Sequence, residues 1–421
     1  YMVSPGSVPT SPTHQLEQLE PFSEDWPFTL KDVQYLLGGP NAEETDTPVE
    51  LDIVQGKLPE GLNGTYYLNG PGINHFTDKE GHRRAKHPFD GHGFIRKFQF
   101  SARNNRVMYE GKYVRTSTYN KEVLEEKGRM VYRGLGSNPY STTSLGAVRN
   151  ILAPTYGDGT ANTCIVEYGN QLLALYEGGP PHLMDPKTLE TKGIYTFNGR
   201  ISRRRPFLAH TRVDHTRNRF VGCGWDSVNQ FSMKSRFIFY EFDDKFELLH
   251  KQVFESDGLY QSHDFLITPN YYVLLCNPIA ISVPGAIKAA TGFGQLINVV
   301  EQDRSKTMKI AFVPRNSSRT EVVIDFGESA LSVHHGMAYE STNDHVVLVT
   351  SAFDRYKFGN EFGFSPGSSV YTKRASSDGL GTQTLYKVTC DLARKTIVKK
   401  TALCSGKPCD FLSINQLMEG Q

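Results

Sequence analysis

Three histidines stand in three separate strand-like segments: His210 in PFLAHTRVD, His263 in QSHDFLITPNYYVL and His334 in LSVHHGMAYE. Neutral imidazole is the commonest side-chain metal ligand, and its second N–H usually goes to a carboxylate that fixes the tautomer. Asp214, Asp264 and Glu340 stand nearby in sequence, although proximity along the chain does not set a hydrogen bond. The three segments are so far apart that only a large β architecture can bring their histidines to one place.

Spacing alone leaves this metal role open. The chain has 13 histidines, and most of them should be surface or satisfied core residues. His14, His75, His82, His182, His250 and His345 lie in polar contexts that suit this plainer reading. There is no HExxH pair to add a local signature. The same residues admit three readings: a redox metal site, a three-histidine zinc hydrolase or hydratase, and a binding module whose metal site has decayed.

The elements that must position these residues are short. From about Val49 onward, apolar or alternating runs are broken by Gly, Asn, Asp and Pro, as in GFIRKFQFSARNNRVMY, RFIFYEFDDKFELLHKQVF and TLYKVTCDLARKTIVKK. Each predicts strand, turn, strand, and repeated hairpins of this kind predict an all-β propeller or barrel. Helical signals are few: Phe28 to Leu37, Lys121 to Lys127, and the almost uncharged VPGAIKAATGFGQLINVV (Val283–Val300). Residues 1–25, rich in Ser, Pro, Thr and Gln, predict an unstructured start, leaving 26–421 as one domain.

Composition narrows the partners. With 421 residues and 38% hydrophobic content, the chain can bury a large core as a single all-β domain. Lys+Arg 46 against Asp+Glu 45 gives a net charge of +1 and no electrostatic case for nucleic acid, so a small-molecule partner is expected. Six dispersed cysteines without a CxxC pair argue against a zinc ribbon and a dense disulfide framework, and free thiols are expected. No apolar run is long enough to span a bilayer.

The histidine segments and their neighbours resemble the carotenoid cleavage oxygenase family. LAHTRVD, SHDFLIT and VHHGMAYE are similar to its first three ligand segments. LPEGLNGTYYLNGPG (Leu58–Gly72) resembles its entry motif and HPFDGHGFIRKFQF (His87–Phe100) its FDGDG-type turn. ANTCIVEYGNQLLALYEGGPPHLMDPKTLET (Ala161–Thr191) resembles its ANT and LLALxE stretch, and the likeness runs in order from about residue 50 to 415.

The resemblance implies a seven-bladed propeller capped on its top face by a few helices, with Fe(2+) bound by His210, His263 and His334. It implies that Glu177 in LALYEGG and Asp410 in CDFLSIN hold two of these histidines, Asp410 standing where many members carry Glu. The implied reaction is O2-dependent cleavage of a conjugated C=C bond in a carotenoid or apocarotenoid, along an apolar tunnel for which 25 Phe and 21 Tyr provide ample surface. Several segments are most similar to the plant plastidial branch that cleaves β-carotene at the 9′,10′ bond on the route to strigolactones. That likeness makes plastid the expected location, with cytoplasm as the alternative. Family members carry a fourth histidine after the segment matched by CDFLSIN. None follows it before Gln421 and the chain starts at Tyr1, so the expectation is a propeller missing its last part. Val283–Val300 falls where the family dips into membranes, and peripheral membrane contact stands beside a core-capping helix as a reading of that stretch.

Overall fold

The computed structural model describes residues 43–412, apart from residues 74, 142, 157, 228–232, 317–318, 343, 357–380 and 406–408. The expected unstructured start and the expected helix Phe28–Leu37 lie outside them. Five larger antiparallel sheets follow one another along the chain. The first has the order Val49–Leu51, Arg106–Tyr113, Gly93–Ser101, Asn63–Pro71. The second is a meander from Cys164–Tyr168 through Gln171–Leu175 and His182–Met184 to Thr191–Ile194, and the third runs from Arg212–Asp214 through Arg219–Ser227 and Ser235–Phe242 to Leu248–Glu255. The fourth is built around the long strand Tyr271–Ile281. The fifth runs from Leu331–Glu340 through His345–Phe353 and Gln383–Asp391 to Thr396–Ser405.

The three hairpins read from the sequence form, and their turn residues explain why. Asn105 adopts φ 48° in the Asn-Asn turn, a left-handed conformation that Asn tolerates. The Asp243 carboxylate accepts the backbone N–H groups of Lys245 and Glu247, and Asp391 accepts that of Arg394. Such side-chain-to-backbone bonds close a turn locally.

Sheet packs on sheet in series. Alternate residues of one strand feed opposite cores, because side chains point to opposite faces with period two. Leu172 and Ala174 join Ile95 of the first sheet, whereas Leu173 and Leu175 join Phe220 and Phe242 of the third. Tyr272 and Leu274 pack against Phe237 and Phe239, whereas Val273 and Leu275 face Val346 and Leu348 of the fifth. A strand that supplies two cores reads as a continuous apolar run, which is why YYVLLC shows no alternation.

No core cluster among the described residues joins the fifth sheet back to the first, so the expected seven-bladed closed ring is not formed by them. Five sheets in series are what these residues build. All six cysteines are free thiols.

Helices are few. The segment expected as a helix at Lys121–Lys127 is a π-helix, Asn120–Glu125, ending near Lys127 at φ 53°. Helix α1 (Ser144–Leu152), capped by the Thr143 hydroxyl accepting the Gly146 N–H, has no counterpart in the sequence reading. Helix α2 (Val283–Ala290) forms at the start of the expected Val283–Val300 stretch, with Pro284 in its first turn. The two helices meet where the Gly292 backbone approaches the Ala147 carbonyl. There φ is +76° and an added Cβ would stand 1.9 Å from that oxygen, so only glycine fits. Arg133 Nη2 donates to the Ala289 and Gly294 carbonyls, 2.7 Å each, and Asn150 Nδ2 donates to Gly292.

Candidate metal centre

His210, His263 and His334 come together, and each lies at an interruption of the first strand of its sheet. In the third sheet, Phe207 pairs with Gly224 and Arg212 with Val221, so Leu208–Thr211, four residues, face only Gly222 and Cys223, and the segment carrying His210 is two residues longer than its partner. In the fourth, the first strand is split into Tyr260–Gln261 and Phe265–Ile267, and Ser262–His263–Asp264 fills the gap. In the fifth, the register against His345–Phe353 shifts between Ser332 and His335, across His334. Such irregularities re-aim a side chain away from the regular pleat.

The geometry that results is a triangle. Ring centroids of the three imidazoles are 4.8, 4.9 and 5.0 Å apart, and the rings meet edge-on at 62°, 83° and 76°. One nitrogen from each lies within 4.8 Å of the others, and the Nε2 atoms of His210 and His263 are 3.1 Å apart. Nitrogens bound about 2.1 Å from one ion at tetrahedral to right angles stand roughly 3 to 3.4 Å apart; the His210–His263 pair stands at that separation, and His334 completes a group that could hold one ion.

Carboxylates hold the far side of two rings. His263 Nδ1 is hydrogen-bonded to Glu177 Oε2. His334 Nδ1 lies 2.8 Å from Asp410 Oδ1, and its ring stacks on Phe411 with centroids 4.3 Å apart. With Nδ1 so engaged, each Nε2 is left to point inward. Burial pushes His210 down to about 3, keeping it neutral and available as a ligand. Burial works against the His263 cation too, but the charge and hydrogen bond of Glu177 outweigh it and raise this pKa. A metal binding here would displace a proton from the His210–His263 contact.

The nearby carboxylates of the sequence divide. Asp214 pairs with Arg315, and Glu340 accepts from Thr268 and Asn270, so neither serves a histidine. Asp264 is 2% exposed and accepts from Arg212 Nη2 at 2.5 Å, from the Phe265 N–H at 2.7 Å and from the His335 N–H at 3.0 Å. Arg212, Asp264 and His335 follow the three histidines by two, one and one residues, so this carboxylate ties all three histidine-bearing strands together. Sequence reasoning missed Arg212 and the His335 N–H as its partners, because a backbone donor leaves no mark in residue identity.

Comparison with known proteins places the chain. Residues 38–421 match the family model described as retinal pigment epithelial membrane protein. A chloroplastic carotenoid cleavage dioxygenase 7 from Oryza sativa is 28% identical, covering 90% of this chain and 71% of that protein. The apocarotenoid-15,15′-oxygenase of Synechocystis is also 28% identical, covering 98% and 78%. A solved structure of cobalt-substituted Synechocystis apocarotenoid oxygenase superposes with a TM-score of 0.75 at 27% identity, covering 93% of this chain and 76% of that one.

Proposed function

Because the chain belongs to the retinal pigment epithelial membrane protein family, we propose that it is a dioxygenase cleaving a conjugated C=C bond of a carotenoid or apocarotenoid with O2 to give two carbonyl products. The observation that carries this reading into the structure is the triangle of imidazoles at three strand interruptions. Fe(2+) is the proposed occupant, held by His210, His263 and His334, with Glu177 and Asp410 orienting two of the rings. Three imidazoles without a ligating carboxylate leave coordination positions open, and the bound ion supplies oxygen binding and activation there. The protein's own contribution is to fix the rings, through Glu177, Asp410 and Asp264, and to align the substrate. The five sheets are proposed as consecutive blades of a seven-bladed propeller.

We propose β-carotene cleaved at the 9′,10′ bond in a plastid as the finer reading; the chloroplastic rice relative supports the location, and a carotenoid 9,10(9′,10′)-cleavage dioxygenase 1 of Arabidopsis thaliana, 26% identical over 82% of this chain, supports the bond. The test is aerobic incubation with β-carotene, 9-cis-β-carotene, an apocarotenal and resveratrol, with products identified by mass and metal by elemental analysis. Iron at one per chain and two carbonyl fragments from a carotenoid are expected, and His263→Ala should lose both. Zinc in place of iron with no fragment, or a His263→Ala variant that cleaves like its parent, overturns the reading.

Peripheral membrane contact is proposed through a face built by α1 and α2 together. Helix α2 buries Gly285 and Ala289 and turns Val283 and Ile287 outward, 65% and 60% exposed, so it does not cap the core with its large apolar residues. Leu145, Val148 and Leu152 of α1 and Phe293 after α2 are exposed as well. The two helices meet at Gly292, and we propose that these side chains form one patch there, the pattern of an interfacial attachment. No described helix is long and apolar enough to cross a bilayer. Co-sedimentation with liposomes should fall in a Leu152→Glu/Ile287→Glu double variant, and unchanged sedimentation removes the proposal.

A further inference from the structure

Away from the histidine triangle, a cavity of about 540 Å³ lies between the first and second sheets and the loop that leads into the third. Arg115, Ser117, Asn120, Asp158, His182, Gly193, Ile194, Arg203 and Arg204 line it. His182 is neither the surface nor the satisfied core histidine that its polar sequence context predicts. It is 1% exposed, and neither ring nitrogen has a hydrogen-bond partner among the described residues. Its Nε2 has only the Asp158 carboxylate, 3.5 Å away. Arg115 gives Nη2 to Glu44 at 2.6 Å, but its Nη1 is buried and without a partner. A buried donor left unmade costs free energy, so two of them in one cavity mark a place where an acceptor belongs.

Charge decides what kind of acceptor. Arg203 and Arg204 are exposed and pair with no carboxylate among the described residues. The carboxylate that lines the cavity, Asp158, is already committed: Ser117 donates to it from backbone and hydroxyl at 2.8 and 2.7 Å, and Thr118 donates at 3.4 Å. Arg115 already pairs with Glu44, so the charge in excess is that of Arg203 and Arg204 beside one occupied carboxylate, and this balance favours an anion over a cation. The loop that carries Arg203 and Arg204 is also fixed in place, for Phe197, Asn198 and Gly199 are all left-handed (φ 50°, 54° and 81°) and the Phe197 ring stacks on Phe242 with centroids 4.5 Å apart. Gly193, at φ +119°, has open space where a Cβ would stand and leaves room at the wall.

We infer that this cavity binds a small organic oxyanion, a carboxylate or phosphate ester, gripped by Arg115 Nη1, the His182 ring and the guanidiniums of Arg203 and Arg204. Guanidinium forks match both anions bidentately, and the volume exceeds what inorganic phosphate alone would fill. The site is independent of the metal reading and stands whether or not the chain cleaves carotenoids.

The test is calorimetric titration of the purified full chain with inorganic phosphate and with glycerol 3-phosphate, beside co-sedimentation with phosphatidic acid and phosphatidylcholine vesicles. Saturable binding of glycerol 3-phosphate is expected, weakened about tenfold or more in an Arg203→Glu/Arg204→Glu variant. Both positions are exposed, so that variant should keep the parent circular dichroism spectrum. His182→Gln should weaken binding too. Free phosphate esters binding in solution identify a soluble ligand; arginine-dependent sedimentation with phosphatidic acid alone identifies a lipid headgroup, and either supports the site. No saturable binding of any probe, or binding by the charge-reversed variant equal to the parent's, overturns it.

Discussion

Arg212–Asp214 is a strand of three residues pinned at both ends by buried ion pairs, and the two pins differ in what they hold. At one end Arg212 meets Asp264, the carboxylate that also takes the His335 N–H and so joins the three histidine-bearing strands. At the other end Asp214 meets Arg315, which gives Nε to Glu241 and Nη1 to the Thr268 carbonyl, while Tyr272 and Arg219 complete the Glu241 shell. Asp264, Asp214, Glu241 and Arg315 are all 6% exposed or less. The chemistry is the same and the consequence is not. The Arg315 cluster binds third sheet to fourth with no histidine in it, whereas the Asp264 cluster sets the relative positions of ligands. Buried ion pairs are thus a question of placement as much as of energy.

Breaking each pin in turn should separate the two roles. Arg315→Met leaves Asp214 and Glu241 buried without their shared cation and should cost about 3–5 kcal/mol in equilibrium denaturation. Metal affinity measured at a temperature where the variant is folded should stay near that of the parent. Asp264→Asn should do the reverse, lowering metal affinity about 10- to 100-fold by competition with a chelator while denaturation shifts less than in Arg315→Met. Equal stability losses with metal affinity intact in both would erase the distinction.

Acid should act on the Arg315 cluster as pH falls below the ordinary carboxylate range. Burial alone would raise the Glu241 carboxyl, but Arg315, Arg219 and Tyr272 outweigh it and hold it at about 2. A carboxyl depressed in the folded state adds stability above its unfolded value of about 4.3, and that stability is lost as pH falls towards about 2. Urea midpoints should therefore drop between about pH 5 and pH 3, and less steeply in Arg315→Met. The smallest effect is expected at the two carboxylates of the triangle's rim: the Asp410 and Glu177 side chains are 31% and 32% exposed, so Asp410→Asn and Glu177→Gln should each weaken metal binding by about tenfold. A clear loss at one position and none at the other would show that only that carboxylate orients its ring.

Much of this was legible beforehand, and the reasons are physical. Hairpins announce themselves through Asn and Asp turns, and the three converging histidines through motifs that surround them. What stayed hidden depends on groups that residue identity does not encode: the His335 N–H, the strand breaks that re-aim each imidazole, and the partners of Arg212. Helix α1 carried a signal that went unread, for Thr143 as cap and Leu145, Val148 and Ile151 at helical spacing stand in STTSLGAVRNIL. Its apolar residues face outward, so it contributes little to any core that the hydrophobic pattern would single out.

The first strands of the third, fourth and fifth sheets carry the imidazoles, while the outer hairpins only back them up. The turn at Ala393–Lys395, exposed throughout and lying between the last two strands of the fifth sheet while His334 is on the first, can therefore accept added sequence, and a reporter peptide spliced there would ride on the rim without disturbing the centre.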